Sequence, residues 1–135
     1  MLVVDACVVV NACLSEEGLA RFPDEPLVAP PLLLSEAASV LHEMRWRSAI
    51  SEELAAIAVA RLDEANIRAQ RPTELRAEAW RIADQLGWAR TYDAEYLALA
   101  HLLGCRLMTI DERLRRGAGH VVQIIGPLDE RNEPL

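Results

Sequence analysis

Lysine is absent: all fourteen basic residues of the chain are arginine. A nucleotide loop of the G-K-[ST] type is therefore excluded. Phosphoryl-receiver and haloacid-dehalogenase-type phosphatase sites, which set acids at strand ends but rely on lysine, are disfavoured for the same reason. Cysteine is scarce and odd in number. Cys7, Cys13 and Cys105 contain no C-x-x-C pair, which argues against a redox or zinc site and for small buried hydrophobes. His42, His101 and His120 form no H-x-x-x-H pattern. Positive charge is outnumbered, with net charge −7 and pI near 4.9, so the chain taken whole does not read as a generic nucleic-acid binder. Long apolar runs are missing too. The first fourteen residues are apolar but carry Asp5, lack a basic start and are too short to span a bilayer. Val-Asn-Ala-Cys at positions 10 to 13 is therefore not expected to be a lipoprotein cleavage site. A soluble cytoplasmic protein with no membrane association is expected.

What the chain does have is material for a core. With 135 residues, 52% of them hydrophobic, it is expected to form one compact domain, since a chain of this size buries roughly two-thirds of its unfolded surface. Val3 and Val4 begin a strand that ends at Asp5, and Ala6 to Leu14 continue as a helix closed off near Gly18. Leu27 to Ala29, bracketed by prolines, reads as a second strand. From Pro31, residues Leu33, Ala37, Val40, Leu41 and Met44 recur at helical spacing. Ser51 caps the next helix, whose buried stripe is expected to be Leu54, Ile57, Ala58 and Leu62. Asn66 to Gln70 is a third strand, and Thr73 starts a helix that stops at Gly87. Thr91 to Leu103 is another helix ended by Gly104. Arg106 to Ile110 is a strand, Asp111 to Arg116 a short helix, and Val121 to Ile125 the last strand. Residues 1–126 make the domain, and 127–135 a polar, loosely held tail. Strands alternating with helices predict an α/β fold, a parallel sheet covered on both faces.

This layout gathers acids. The helix beginning at Thr91 spans roughly 20 Å and the strand ending at Ile110 returns about 16 Å, so the start of one and the finish of the other share an edge. Asp93 and Asp111 stand there, Asp5 ends a strand at the same rim, and Glu36 lies near the start of a helix that follows a strand. Open parallel sheets bind ligands at that rim, where strand order reverses. Carboxylates crowded together favour protonation unless a cation holds them ionised. Each acid also has an ordinary reading. Asp5, Asp93 and Asp111 suit helix caps or first turns, and Glu36 could be a solvated edge. The coincidence of all four is what points to a site.

At these residues the sequence resembles the PIN-domain ribonucleases, most closely the VapC-type toxins of bacterial toxin–antitoxin pairs. The matching stretches are VVDACVVV around Asp5, PPLLLSEAASVL around Glu36, TYDAEYLALA around Asp93 and LMTIDERL around Asp111; the last two are the more specific. The resemblance implies a single PIN-like domain with about five parallel strands in the order 3-2-1-4-5. It makes Asp5, Glu36, Asp93 and Asp111 the acidic metal-binding quartet, with Thr109 as a supporting hydroxyl. Cys7 stands where the family usually has serine and Ser39 where asparagine is frequent. Neither departure removes a predicted ligand.

Oxygen-only ligands favour Mg²⁺, with Mn²⁺ as a substitute, over zinc. A water made more acidic by such an ion can attack a phosphodiester, and the family analogy implies products with a 5′-phosphate and a 3′-hydroxyl. Arg113, Arg115 and Arg116 after Asp111, or Arg45 and Arg47 at the end of the Glu36 helix, are candidates for phosphate contacts. Trp46 is expected to pack against a partner chain rather than stack on a base. The resemblance further implies a homodimer and a cognate VapB-type antitoxin whose C-terminal segment covers the site, for which apolar faces within residues 31 to 62 are candidate docking surfaces. Two rivals remain open: a catalytically silent PIN-like protein-binding module, and a metal-dependent phosphatase, against which D-A-C at 5 to 7 counts, because a D-x-D would be wanted there.

Overall fold

The computed structural model describes residues 1–126. Five short strands form one sheet: β1 (Leu2–Val4), β2 (Leu27–Ala29), β3 (Ile67–Ala69), β4 (Arg106–Met108) and β5 (Ile124–Ile125). Every pairing is parallel, in the order β3-β2-β1-β4-β5, as expected. All three residues of β1 are buried. That explains why its residues are uniformly apolar instead of alternating: a central parallel strand has no solvent face.

Six α-helices make the connections: α1 (Ala6–Leu14), α2 (Leu32–Trp46), α3 (Glu52–Glu64), α4 (Leu75–Leu86), α5 (Tyr92–Leu103) and α6 (Glu112–Ala118). From β1 the chain runs outward to β3, then crosses back to β4 and β5 on the other side. Right-handed crossovers consequently put α1, α2 and α3 against one face and the later helices against the other. The packing agrees, for α1, α2 and α3 contact one another while α4 pairs with α5, and α5 lies on β1 and β4. Ala94 and the run Tyr96 to Ala100 of α5 are all buried, which makes it the central helix. Among the described residues no helix is long and apolar enough to cross a membrane.

Several boundaries differ from the sequence expectation, each for an identifiable reason. Helix α1 covers Ala6–Leu14 as expected, but it is closed at Ser15 and not near Gly18. The Ser15 hydroxyl and backbone N–H both turn back to the Ala12 carbonyl, at 2.9 and 3.2 Å, a competition typical of serine. Arg61 of α3 donates to the Cys13 carbonyl at 2.9 Å and to that of Ser15, so the helix end is satisfied from outside. Gly18, with φ of 56°, instead opens a 3₁₀ turn, Gly18–Arg21. Strand β4 ends at Met108 and leaves Ile110 exposed. Strand β5 starts only at Ile124, because Val121 N–H closes a turn onto Ala118. Helix α4 begins at Leu75, after a turn in which its N–H meets the Pro72 carbonyl.

Ser51 does cap α3, accepting from Leu54 N–H at 3.1 Å. The buried stripe of that helix is Ala55, Ala58 and Leu62, however, and Ile57 is 48% exposed. Alanines allow close approach of α3 to α1 and α2, and geometry rather than hydrophobicity selects the buried face. The expected tail at 127–135 lies outside the described residues.

Candidate acidic metal site

Strand order reverses at β1, between β2 and β4, so the crevice at the carboxyl ends of β1 and β4 is where this architecture leaves room for a ligand. Asp5 follows β1 directly. It N-caps α1, with Oδ1 accepting from Val8 N–H at 3.0 Å. Its second oxygen accepts the hydroxyl proton of Thr109, the residue after β4, and Thr109 Oγ1 in turn accepts Asp111 N–H at 3.0 Å. A buried chain of hydrogen bonds thus ties the two strand ends together across 104 residues of sequence.

Asp5 is only 4% exposed. Its carboxyl is pushed up to about 6, chiefly by burial, against the lowering effect of the Thr109 and Val8 hydrogen bonds, with Asp111 and Asp93 adding repulsion. Asp111 N-caps α6, accepting from Arg113 N–H at 2.8 Å and Leu114 N–H at 3.4 Å. Asp93 stands in the first turn of α5. Glu36 lies one turn inside α2, half-buried, and receives the Tyr96 hydroxyl at 3.4 Å. Burial, and after it the charge of Asp93, raises the Glu36 carboxyl above its ordinary range.

All four predicted acids therefore share one electrostatic neighbourhood. The Cys7 thiol registers this: desolvation and then, in turn, Asp5, Asp111, Glu36 and Asp93 push it up to about 11. Burial together with Glu36, Asp5 and Asp93 holds the Tyr96 phenol far above its usual range. As placed, no three acid, histidine or cysteine side chains among the described residues form a ready set around a cation. The outer pair instead holds a guanidinium. Arg113 donates to Asp93 Oδ2, lies 3.9 Å from Asp111 Oδ2, and covers the Trp88 ring at 5.2 Å from its centroid.

The other predicted arginines are distributed differently. Arg115 lines a cavity of about 330 Å³ beside the site, together with Val8, Phe22 and Met108, and Arg116 is exposed on α6. Arg45 and Arg47 are exposed at the far end of α2, with Arg45 about 14 Å along the helix axis from Glu36. Trp46 is 78% exposed, its ring stacked on His42 at 6.4 Å. Two site residues went unrecognised in the sequence. Tyr96 had a usable signal, being three residues after Asp93 on the same helix face. Trp88 had none, because its position depends on the left-handed turn at Gly87 that ends α4.

The donor set is of the kind a hard divalent cation takes: it is made of carboxylate oxygens, and the Asp5 and Glu36 carboxyls are raised chiefly by burial and further by the neighbouring acids, a cost that a cation would offset. Among solved structures, the chain is similar to PAE2754 from Pyrobaculum aerophilum, with TM-score 0.72 and 23% identity over 96% of this chain and 92% of that one, a likeness of fold. No curated protein matches the sequence. The family model that matches is that of the PIN domain, a family whose members are generally nucleases and usually employ divalent metal ions. That match spans residues 2–119, and the chain belongs to the PIN domain family.

Proposed function

We propose that the chain is a metal-dependent endoribonuclease, the toxin of a VapC-type toxin–antitoxin pair, with Asp5, Glu36, Asp93 and Asp111 as its metal-binding acids. The observation that carries this reading is a buried carboxylate, Asp5, raised to about 6 at the switch point of a parallel sheet with three further acids around it. Asp5 and Asp93 are the principal ligands. Asp111 and Glu36 bind a second ion or orient the attacking water. When bound, Mg²⁺ or Mn²⁺ supplies an acidified water and neutralises charge on the phosphate oxygens.

The residues themselves hold the arrangement. Thr109 and Val8 N–H fix the Asp5 carboxylate from both oxygens, and Tyr96 steadies Glu36. Arg115 and Arg116 extend positive charge from the site along α6, where RNA phosphates would pass. Leu34, Trp46, Ile57 and Val59 are exposed on α2 and α3. They support an assembly with a second copy and with a VapB-type antitoxin segment, for which the groove between these helices offers an apolar floor at Leu41 and Ala55.

The test is purified protein with structured RNAs, with and without EDTA. Cleavage that needs Mg²⁺, leaves 5′-phosphate and 3′-hydroxyl ends, and is lost in Asp93→Asn is expected. Cleavage that survives both chelation and that substitution overturns the mechanism. A catalytically silent binding module is the second reading. Arg113 lying across Asp93 and Asp111 favours it, and intact RNA in the presence of Mg²⁺ would establish it.

A further inference from the structure

We infer that Arg113 is a built-in counter-cation of the acidic site, exchanged for the divalent ion when that ion enters. This rests on the metal reading above. Three contacts define its position: the hydrogen bond to Asp93, the 3.9 Å approach to Asp111 and the face of Trp88 at 5.2 Å. Arginine cannot lose its proton in a protein, so the charge is available to the acids at any working pH.

The placement runs against local preference. Arg113 sits in the first turn of α6, where the helix dipole opposes positive charge, while Arg115 and Arg116 occupy the last turn, where it is favoured. A residue that violates a local rule while satisfying an acid of another helix, here Asp93 of α5, is the pattern of a functional device. Trp88 makes the seat definite. Its backbone N–H closes on the Ala83 carbonyl at 2.8 Å behind the left-handed Gly87, so the fold rather than the arginine positions the indole.

The hold is also weak enough to release. The Arg113 side chain is 59% exposed, and Asp93 and Asp111 are 35% and 28% exposed, so water screens the pair. A doubly charged ion gains the same two carboxylates and Asp5 as well. The freed guanidinium remains tethered at the rim, with its planar donors available to a substrate phosphate.

Titration of the full chain with Mg²⁺ tests the exchange, followed by calorimetry and by the Trp88 indole N–H resonance, identified with Trp88→Phe. In the parent protein the resonance is expected to shift in step with metal occupancy. Arg113→Gln is expected to bind Mg²⁺ about tenfold more tightly, or about 1.4 kcal/mol, and to show little Trp88 response; Arg113→Lys should fall between. If Mg²⁺ binds both proteins equally well and the resonance stays still, the exchange is refuted and the metal reading stands. If neither protein binds Mg²⁺, both fall. Should Arg113→Gln fail to fold, the Trp88 titration of the parent protein decides by itself.

Discussion

The inner and outer halves of the acidic cleft handle negative charge in opposite ways. Inside, Asp5 is nearly inaccessible, each of its oxygens is met by a neutral donor, and its carboxyl is raised to about 6. Outside, Asp93 and Asp111 remain partly in water and share the charged Arg113. Neutral hydrogen bonds orient a carboxylate but leave its charge only partly compensated, whereas a guanidinium cancels charge but is held loosely at the surface. The inner half is therefore built to be rigid and short of positive charge, and the outer half to be exchangeable.

The sharpest break of this contrast is loss of an inner or outer acid under the proposed nuclease reading. Asp5→Asn and Asp93→Asn are each expected to lower RNA cleavage by about 100-fold or more, read from initial rates at saturating Mg²⁺. Equal activity in either variant would remove that half from the site.

Stability separates the halves next. An acid whose carboxyl is raised in the folded state holds its proton longer there than when unfolded. Asp5 therefore subtracts stability progressively as pH climbs from 3.8 to about 6, and nothing below that window. Asparagine caps a helix equally well, so in EDTA Asp5→Asn is expected to stabilise the fold by up to about 3 kcal/mol at pH 7. The gain should vanish near pH 3.5. Urea unfolding at both pH values is the check, and a variant that is less stable at pH 7 contradicts the charge argument.

Thr109→Val keeps the shape of the inner half but withdraws the donor from Asp5. A cost of about 1–3 kcal/mol is expected, with the Asp5 carboxyl rising further because Thr109 holds it down. Carboxyl NMR titration reads the direction. Arg113→Gln, at the exposed end, is expected to change unfolding free energy by no more than about 1 kcal/mol. A larger loss would mean that the outer half is structural after all.

Much of this was legible before any coordinates. Strand and helix alternation led to a parallel sheet, the family resemblance supplied its order, and Asp93 and Asp111 could be brought to one edge by counting rises. The capping and ligand readings of Asp5 do not compete, since one oxygen binds Val8 while the carboxylate faces the other acids. Ile57 was misread because helical periodicity names a stripe but not its centre, and the small Ala55 and Ala58 took the contact. The closure of α1 at Ser15 was only half visible, because Arg61, which satisfies the end of the helix, lies 48 residues away from Cys13.

By itself the sequence determined which segments become strands and helices and that four acids must end at one rim, because hydrophobic period, caps and chain length are local or additive properties. Only the tertiary structure decided that the Thr109 hydroxyl donates to Asp5 Oδ2, that Glu36 meets Tyr96, and that Arg113 turns toward Asp93 over the Trp88 ring. Those are contacts between side chains of different elements, and their geometry depends on how the helices settle against the sheet.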